Sequence, residues 1–554
     1  MRNRTALALV LSLVVTAAAV PLVSTVGPVD AGRTGSDEPD AAGHPGSVPS
    51  LEERLSRIVG DDDGPTDPIE REVYVVVQMK QGAVFDDARF DLPVYDREGA
   101  HVARGYVPLT SVRDLSNDPR VEAVRIERSR LRAAEPLVPS TDGNVAGGVS
   151  TIGADELQVA GLTGRNVTVG VIDAGFRVSD PELAGHVGAF RSFDDEEVDW
   201  VHGTAVASVV ADTAPNARLH LAAVGESTTP EEYREAVEWL RDSGADVIVD
   251  AGSYFGQPGD GTGEIETIAS AAARDVVFVA AAGNYAERHW RGSHDPAAGV
   301  ARVEFAPGET ANYLEGGAPF GGTVRATLRW DDWETTEGSD YEVLLYRRQP
   351  GLDTVVATSA DVGDRPVEHL VARVPRGRYY LAVRATGEVG NEASTEVDTL
   401  DLFASRGLTH GSPAGSLTAP GTAPGVLTVG ALDGSGSVAG FSSRGPVSGT
   451  DRLGVDLVAP DDVALPGAST GSGTSYAAPY VAGTAALLVE AHPSLGPHGV
   501  REVLRNSATD LGPAGPDTLS GYGRLDARSA AELAVEYERY ADVNASARVY
   551  AGSN

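Results

Sequence analysis

The chain has 554 residues, with 80 Asp and Glu against 44 Lys and Arg, for a formal net charge of −36. That acidity argues against nucleic acid as a partner, because phosphate contacts need a positive field. Cysteine is absent, which excludes a disulfide framework, a thiol nucleophile, a zinc–thiolate site and a lipoprotein anchor.

Arg2 and Arg4 precede an apolar stretch of 15 residues, "ALALVLSLVVTAAAV", with a small-residue site "AAA" at 17–19. This is the pattern of a secretory signal peptide over residues 1–31. The stretch is short for a membrane span, which needs roughly 20 apolar residues. Running on through "PLVSTV" it would serve as an N-terminal membrane anchor, so secretion and surface attachment both stand open. Residues 32–69 have linker composition, rich in Gly, Pro, Asp and Ser. Residues 70–132 read as a small α+β unit: a strand in "REVYVVVQM", a short helix in "LTSVRDLSND" and a strand in "RVEAVRIE". Residues 133–150 read as a second loose linker.

From residue 151 the pattern becomes α/β. "NVTVGVID" (166–173) is a nearly continuous apolar strand, as buried parallel strands are. A small-residue helix (203–212), a strand (217–224), an amphipathic helix (230–244), a strand (245–251), a helix (266–275) and a strand (276–284) follow. This alternation predicts a doubly wound, mainly parallel sheet with ligands at the carboxyl ends of its strands. Residues 300–404 lose helical periodicity and carry short alternating strands such as "TVRATLRWDD" and "RYYLAVRAT". They predict an inserted all-β sandwich. The α/β pattern resumes over 405–535, and 536–554 form a tail. The catalytic part is thus split into 151–299 and 405–535.

Three side chains fall at the ends of these elements. Asp173 closes the first strand in "GVIDAG", His202 opens a helix in "HGTAVA", and Ser475 opens an apolar helix in "GTSYAAP". Pro479 is expected in that helix's first turn, where missing N–H groups cost nothing. Each residue has a plain structural reading, as strand cap, core histidine or N-cap serine. Together they are an acid, a base and a hydroxyl, the parts of nucleophilic catalysis with an oriented base. Asn284, in "AAAGN", adds an amide able to donate to an oxyanion, or simply a turn residue after Gly283.

On these motifs the chain resembles the subtilisin-like serine proteases, over roughly 150–290 and 405–530, with weaker support from "FSSRGP" (441–446) and "DLVAP" (456–460). The resemblance implies that Asp173 orients, His202 is the general base, Ser475 attacks, and Asn284 with the Ser475 N–H binds the oxyanion. It implies a secreted endopeptidase acting on protein or peptide substrates through an acyl-enzyme, and a prosegment at 70–132. Calcium binding is common in the family, though no cofactor is required. "DDEE" at 194–197 is a candidate loop site, but reads more simply as a solvated acidic run. Ala174 and Tyr476 depart from the family's usual neighbours, and "DAGSYFGQPGDG" (250–261) stands where a Ser-x-Gly substrate strand is common. Gly252, Ser253 and Gly256 are the candidates to line the primary pocket. A catalytically silent peptide binder, or a surface-binding module carried by the β insertion with Trp330 and Trp333 as an aromatic platform, are the competing readings. The oligomeric state is not legible.

Of the 44 basic residues one is lysine, Lys80. A carboxylate-dense surface almost without lysine resembles proteins of salt-loving organisms, where salt screens self-repulsion. Codon bias toward arginine in an ordinary acidic secreted protein is the alternative. The salt reading predicts a melting temperature that climbs as NaCl is raised to molar concentration. A melting temperature indifferent to salt would count against it.

Overall fold

The computed structural model describes residues 72–80, parts of 94–139, and 147–537 apart from 194–200, 226–227, 296–300, 334–338, 360–364, 387–396, 462 and 466–468. The expected signal peptide, the first linker, "DDEE" and the tail beyond 537 lie outside the described residues. The chain divides into two units, Met1–Glu127 and Arg128–Asn554.

In the first unit, β1 (Glu72–Met79) alternates so that Val75, Val77 and Met79 are buried on one face. It pairs antiparallel with β3 (Ala100–Pro108) and β4 (Val121–Ile126), and β2 (Val94–Arg97) completes the order β2-β3-β1-β4. The sequence pattern reveals β1 and β4 and a helical turn that buries Leu115. It hides β3, because Arg104 and Gly105 interrupt the apolar alternation although both sit in the ladder.

The second unit begins with two short strands, β5 (Arg132–Ala133) and β6 (Val138–Pro139). Its centre is a seven-stranded parallel sheet built from β7 (Thr168–Asp173), β8 (Val187–Ser192), β9 (Arg218–Ala223), β10 (Val247–Asp250), β12 (Val277–Ala281), β21 (Leu427–Leu432) and β22 (Leu457–Pro460). The order is β22-β21-β12-β10-β7-β9-β8. In β7, Val169 and Val171 face one core and Ile172 the other, which is why the strand reads as an unbroken apolar run. β8 escapes sequence reading because it is an edge strand with a largely exposed face.

Helices cover both faces. α1 (Val201–Thr213), α4 (Thr474–Ala491) and α5 (Gly496–Ser507) lie in one core, and α2 (Pro230–Asp242) and α3 (Glu264–Ala272) in the other. α2 starts with a reciprocal cap: Thr229 Oγ1 accepts from Glu232 N, and the Glu232 carboxylate accepts from Thr229 N. α4 is buried from Thr474 through Leu488, as its all-round apolar pattern requires. Its N-cap is Gly473, so Pro479 stands in the second turn rather than the first, and Ser475 is the second helical residue. The missing Pro479 N–H leaves the Ser475 carbonyl without its i+4 donor.

Between the parallel strands the chain forms two antiparallel four-stranded sheets. One holds β13 (His289–His294), β20 (Asp398–Ala404), β15 (Phe320–Trp330) and β18 (Val367–Gly377), in that order. The other holds β14 (Asn312–Tyr313), β19 (Tyr379–Ala385), β16 (Tyr341–Arg347) and β17 (Thr354–Thr358). Side chains of the two sheets meet at Trp330–Tyr341, 5.2 Å between ring centres, and Phe320–Tyr379, 5.3 Å. The all-β region therefore starts at His289, before the expected boundary at 300. β13, "HWRGSH", looks too polar for a core strand, yet His289 is fully buried because Asp401 and the Ser412 carbonyl satisfy both ring nitrogens. Trp330 is buried with its indole N–H on the Ser339 carbonyl, so it is a packing residue; Trp333 is half-buried.

α1 and α4 lie in direct contact where Gly483 faces Thr213. A Cβ on Gly483 would fall 2.5 Å from Thr213 Cβ. Gly483→Ala is expected to destabilise the protein by about 1–2 kcal/mol net, overpacking outweighing the roughly 1 kcal/mol that alanine gains in a helix. Denaturant unfolding of the two proteins checks this; equal midpoints would mean the helices separate freely.

Candidate active site

Asp173 ends β7 fully buried, and its Oδ1 accepts from Ala174 N at 2.6 Å. His202, the second residue of α1, places Nδ1 at 2.9 Å from Asp173 Oδ2 and 3.1 Å from Oδ1. Its Nε2 is 2.9 Å from Ser475 Oγ. An ionised carboxylate only accepts, so Nδ1 carries the proton and Nε2 accepts from the serine hydroxyl. The approach of α1 to the strand end needs Gly203, whose Cβ would lie 2.3 Å from the Gly175 carbonyl and 2.9 Å from Asp173 Cβ. The Tyr476 ring, 5.1 Å from the His202 imidazole, walls its other side.

Asn284 follows β12 across Gly283, which takes a φ of +99° that L side chains rarely adopt. Its Oδ1 accepts from Thr474 N at 3.0 Å and Thr474 Oγ1 at 3.1 Å, and Thr474 Oγ1 accepts from Gly283 N at 3.0 Å. That fixes which way the amide faces. A Cβ on Gly473 would sit 3.0 Å from Asn284 Nδ2 and 3.4 Å from Ser475 Oγ. Both atoms thus border one small space, held open by the absence of a side chain at Gly473. The N–H of Ser475, in the first turn of α4, has no helical acceptor. Behind Asn284, Ser443 of "FSSRGP" accepts from Tyr285 N and donates its own N–H to the Gly283 carbonyl.

Gly252 and Ser253 lie at the end of β10 and the start of β11 (Ser253–Tyr254). Gly252 N donates to Oδ1 of the buried Asp250 at 2.8 Å, and Tyr233 donates its hydroxyl to Oδ2 at 2.8 Å. Burial first, and then Asp250, hold the Tyr233 hydroxyl well above the ordinary tyrosine range, so it stays a donor. Ser253 Oγ is 2.8 Å from Thr418 Oγ1, both buried. Gly256, at φ +76°, turns the chain out of this strand into the loop that leads to α3. The expected loose linker is tied down on both sides of residues 134–137. Ala133 pairs with Ser253 and Arg132 with Tyr254, and Val138 and Pro139 pair with Ser472 and Gly471 of β24 (Ser469–Ser472), which is antiparallel also to β23 (Val463–Leu465).

The sequence-predicted Asp173, His202, Ser475 and Asn284 are therefore brought together, and Ser253, with Gly252 just before it, stands on the strand that an extended segment of the same chain already pairs with. Thr474, Tyr476 and Thr418 were not legible as site residues. Thr474 lies inside the "GTSYAAP" motif, but a β-branched residue there gives no hint that its hydroxyl orients an asparagine 190 residues away. Among the described residues no group of three or more His, Asp or Glu side chains is placed to hold a metal.

The sequence model of the subtilase family matches residues 164–313 and 360–523. The chain is 26% identical over 417 residues to the minor extracellular protease Vpr of Bacillus subtilis (strain 168), covering 65% of this chain and 50% of that one. It is 36% identical over 139 residues to the halolysin-like extracellular serine protease Nep of Natrialba magadii, covering 24% and 23%. The chain thus spans half or less of the length of these curated relatives. Among solved structures it is similar to the Clostridium perfringens CspB protease, with a TM-score of 0.51 and 18% identity over 71% of this chain and 99% of that one. At that identity the likeness concerns the fold.

The loop after Gly256 ends against Glu266 of α3, whose carboxyl is pushed up to about 7 by burial, against the pull of Thr422 and Arg329. Unfolded, the same carboxyl releases its proton near 4.5. A group with the higher value in the folded state stabilises the fold below its unfolded pKa and loses that contribution as pH rises through the folded one. Glu266→Gln is therefore expected to gain on the wild type by about 3 kcal/mol between pH 4.5 and pH 7. Denaturant unfolding at both pH values measures it; a difference that does not change with pH would show a carboxylate charged throughout.

Proposed function

This chain belongs to the subtilase family, and on that premise we propose that it is a secreted serine endopeptidase. The observation that carries the reading is the unbroken line from Asp173 through His202 to Ser475, with 2.9 Å at each link. Ser475 Oγ attacks the peptide carbonyl carbon as its proton passes to His202 Nε2. Asp173 holds Nδ1–H and stabilises the imidazolium. The carbonyl oxygen, now negative, enters the space beside Gly473 and takes hydrogen bonds from Asn284 Nδ2 and the Ser475 N–H. Collapse expels the amine, which collects the proton from Nε2 and leaves an acyl-enzyme that water cleaves by the reverse path. A silent peptide binder would have no need of all four groups in register.

The substrate enters as an extended strand on Ser253–Tyr254, in the manner of Arg132–Ala133. Gly252, Ser253 and Gly256 line the primary pocket, and the Ser253–Thr418 hydroxyl pair fills its floor. That buried, neutral hydroxyl pair favours a small, uncharged side chain beside it. No cofactor is required for this chemistry; a structural calcium is a family expectation. Residues 70–132 act as the prosegment, and residues 289–404 are an inserted β-sandwich. The buried state of Trp330 disfavours its use as an aromatic platform for surface binding. The N-terminal apolar stretch and extracellular relatives support secretion. The acidic, lysine-poor composition and a halolysin-like relative support a salt-rich medium.

Ser475→Ala and His202→Ala should each lower peptide hydrolysis by several orders of magnitude with the fold intact, and a serine-directed phosphonate should label the wild type alone. On a peptide library, cleavage should follow Gly, Ala or Ser, and Ser253→Gly should admit larger residues. Undiminished turnover in Ser475→Ala would refute the mechanism. N-terminal sequencing tests the prosegment: a start near 135–150 in wild type and a longer chain in Ser475→Ala signal self-processing. Starts near 20–32 in both would mean that the unit stays attached.

A further inference from the structure

The two segments that carry the amide and the substrate strand are each followed by an aromatic residue: Tyr285 after Asn284, and Phe255 after Tyr254. Their rings meet edge to face at 5.1 Å. A third ring is supplied by the insertion. Phe403 of β20 lies 5.4 Å from Phe255 and 5.8 Å from Tyr285, and the three form a closed, buried cluster of their own. Phe403 is thus wedged where both walls of the cleft begin.

A charged clamp sits beside the wedge. The Arg329 guanidinium of β15 lies 5.1 Å from the Phe403 ring centre. Its Nη1 donates to the Gln257 carbonyl at 3.1 Å, two residues beyond Phe255, and its Nε donates to Asp401 Oδ2 at 3.2 Å. Asp401 also accepts from His289 Nε2 at 2.9 Å and Arg291 Nη1 at 3.3 Å. Burial opposes charge on Asp401, but Arg329, His289 and Arg291 outweigh it and hold the carboxyl well below its ordinary range. Gly259 completes the fit, since a Cβ there would lie 2.2 Å from the guanidinium nitrogens. A buried charge with this many partners is rigid, because releasing any one strands the others.

We propose that the inserted sheets are a positioning device for the cleft: Phe403 sets the spacing between the Asn284 segment and the Ser253–Tyr254 strand, and Arg329 fixes the strand side through Gln257. Neither touches substrate; both are positioning residues. The proposal rests on the protease reading above. Its physical basis is that displacements of about 1 Å in a catalytic constellation cost on the order of a hundredfold in rate.

The test uses the full-length secreted protein, with active sites counted by phosphonate labelling and rates expressed per labelled serine. Phe403→Ala should lower kcat per labelled serine about ten- to a hundredfold on both an extended peptide and a single-residue ester, and Phe403→Leu should recover most of it. Arg329→Lys should raise KM for the extended peptide several-fold and leave the ester unchanged, because only the peptide uses the strand. If the variants lose labelled serines and melting temperature but keep kcat and KM per site, the insertion is merely structural and the proposal is overturned. If Phe403→Ala fails to fold, Phe403→Leu and Arg329→Lys decide by the same two readouts. A wild type that neither labels nor hydrolyses sinks the protease reading and this one with it; an active wild type with unmoved variants sinks this one alone.

Discussion

The hydrogen bond between Ser475 and His202 joins residues 273 positions apart, and the cleft depends on the constraint that makes it possible: two buried helices locked side by side over one parallel sheet. A hydrogen bond of this kind contributes roughly 0.5–1.5 kcal/mol net, too little to bring the helices together. Burial does that. α4 alone buries Val481, Leu487 and Leu488 completely, each worth roughly 1.5–3 kcal/mol. The hydrogen bonds then select orientation among packings that burial has already enforced. Gly483 and Gly203 permit contact distances that any larger residue would forbid.

Much of the site's chemistry is created by what is left out. Gly473 keeps open the space that Asn284 Nδ2 and Ser475 Oγ face, and Gly283 supplies the left-handed backbone that turns Asn284 out of its strand. Thr474 is the complementary addition. Its hydroxyl and N–H together hold the asparagine oxygen, so the amide presents its nitrogen to the space beside Gly473 and Ser475 Oγ. Preorganisation of that kind removes the reorganisation that water would require at the same point.

The antiparallel sheets reach the segments that follow Tyr254 and Asn284 through Phe403, which packs on Phe255 and Tyr285. Their buried Asp401 is tied to residues of β13 and β15, and through Arg329 to the loop after β11. Sheets that served only as ballast would have no need of a desolvated ion cluster beside that loop, since buried ion pairs add little stability over apolar packing.

Much was legible in the sequence alone. Unbroken apolar runs such as "NVTVGVID" imply strands buried on both faces, and "HGTAVA" and "GTSYAAP" mark the helix starts that carry His202 and Ser475. Local periodicity and motif spacing are enough for these, because burial on both faces leaves no room for polar residues. Other features were decided by tertiary structure. β13 and β3 contain charged or glycine residues whose compatibility with a strand depends on partners contributed from elsewhere: Asp401 for His289, and the β1 ladder for Gly105. Within the stretch with linker composition, Ala133 and Val138–Pro139 became strand residues because β11 and β24 present edges to them. Pro479 moved one turn into its helix because the start is set by Gly473 and by the Thr474–Asn284 contact. The Ser253–Thr418 pair joins residues 165 positions apart. Contacts between distant segments leave no periodic trace along the chain, and so the sequence determined the elements and the reactive groups while the packing decided which of them meet.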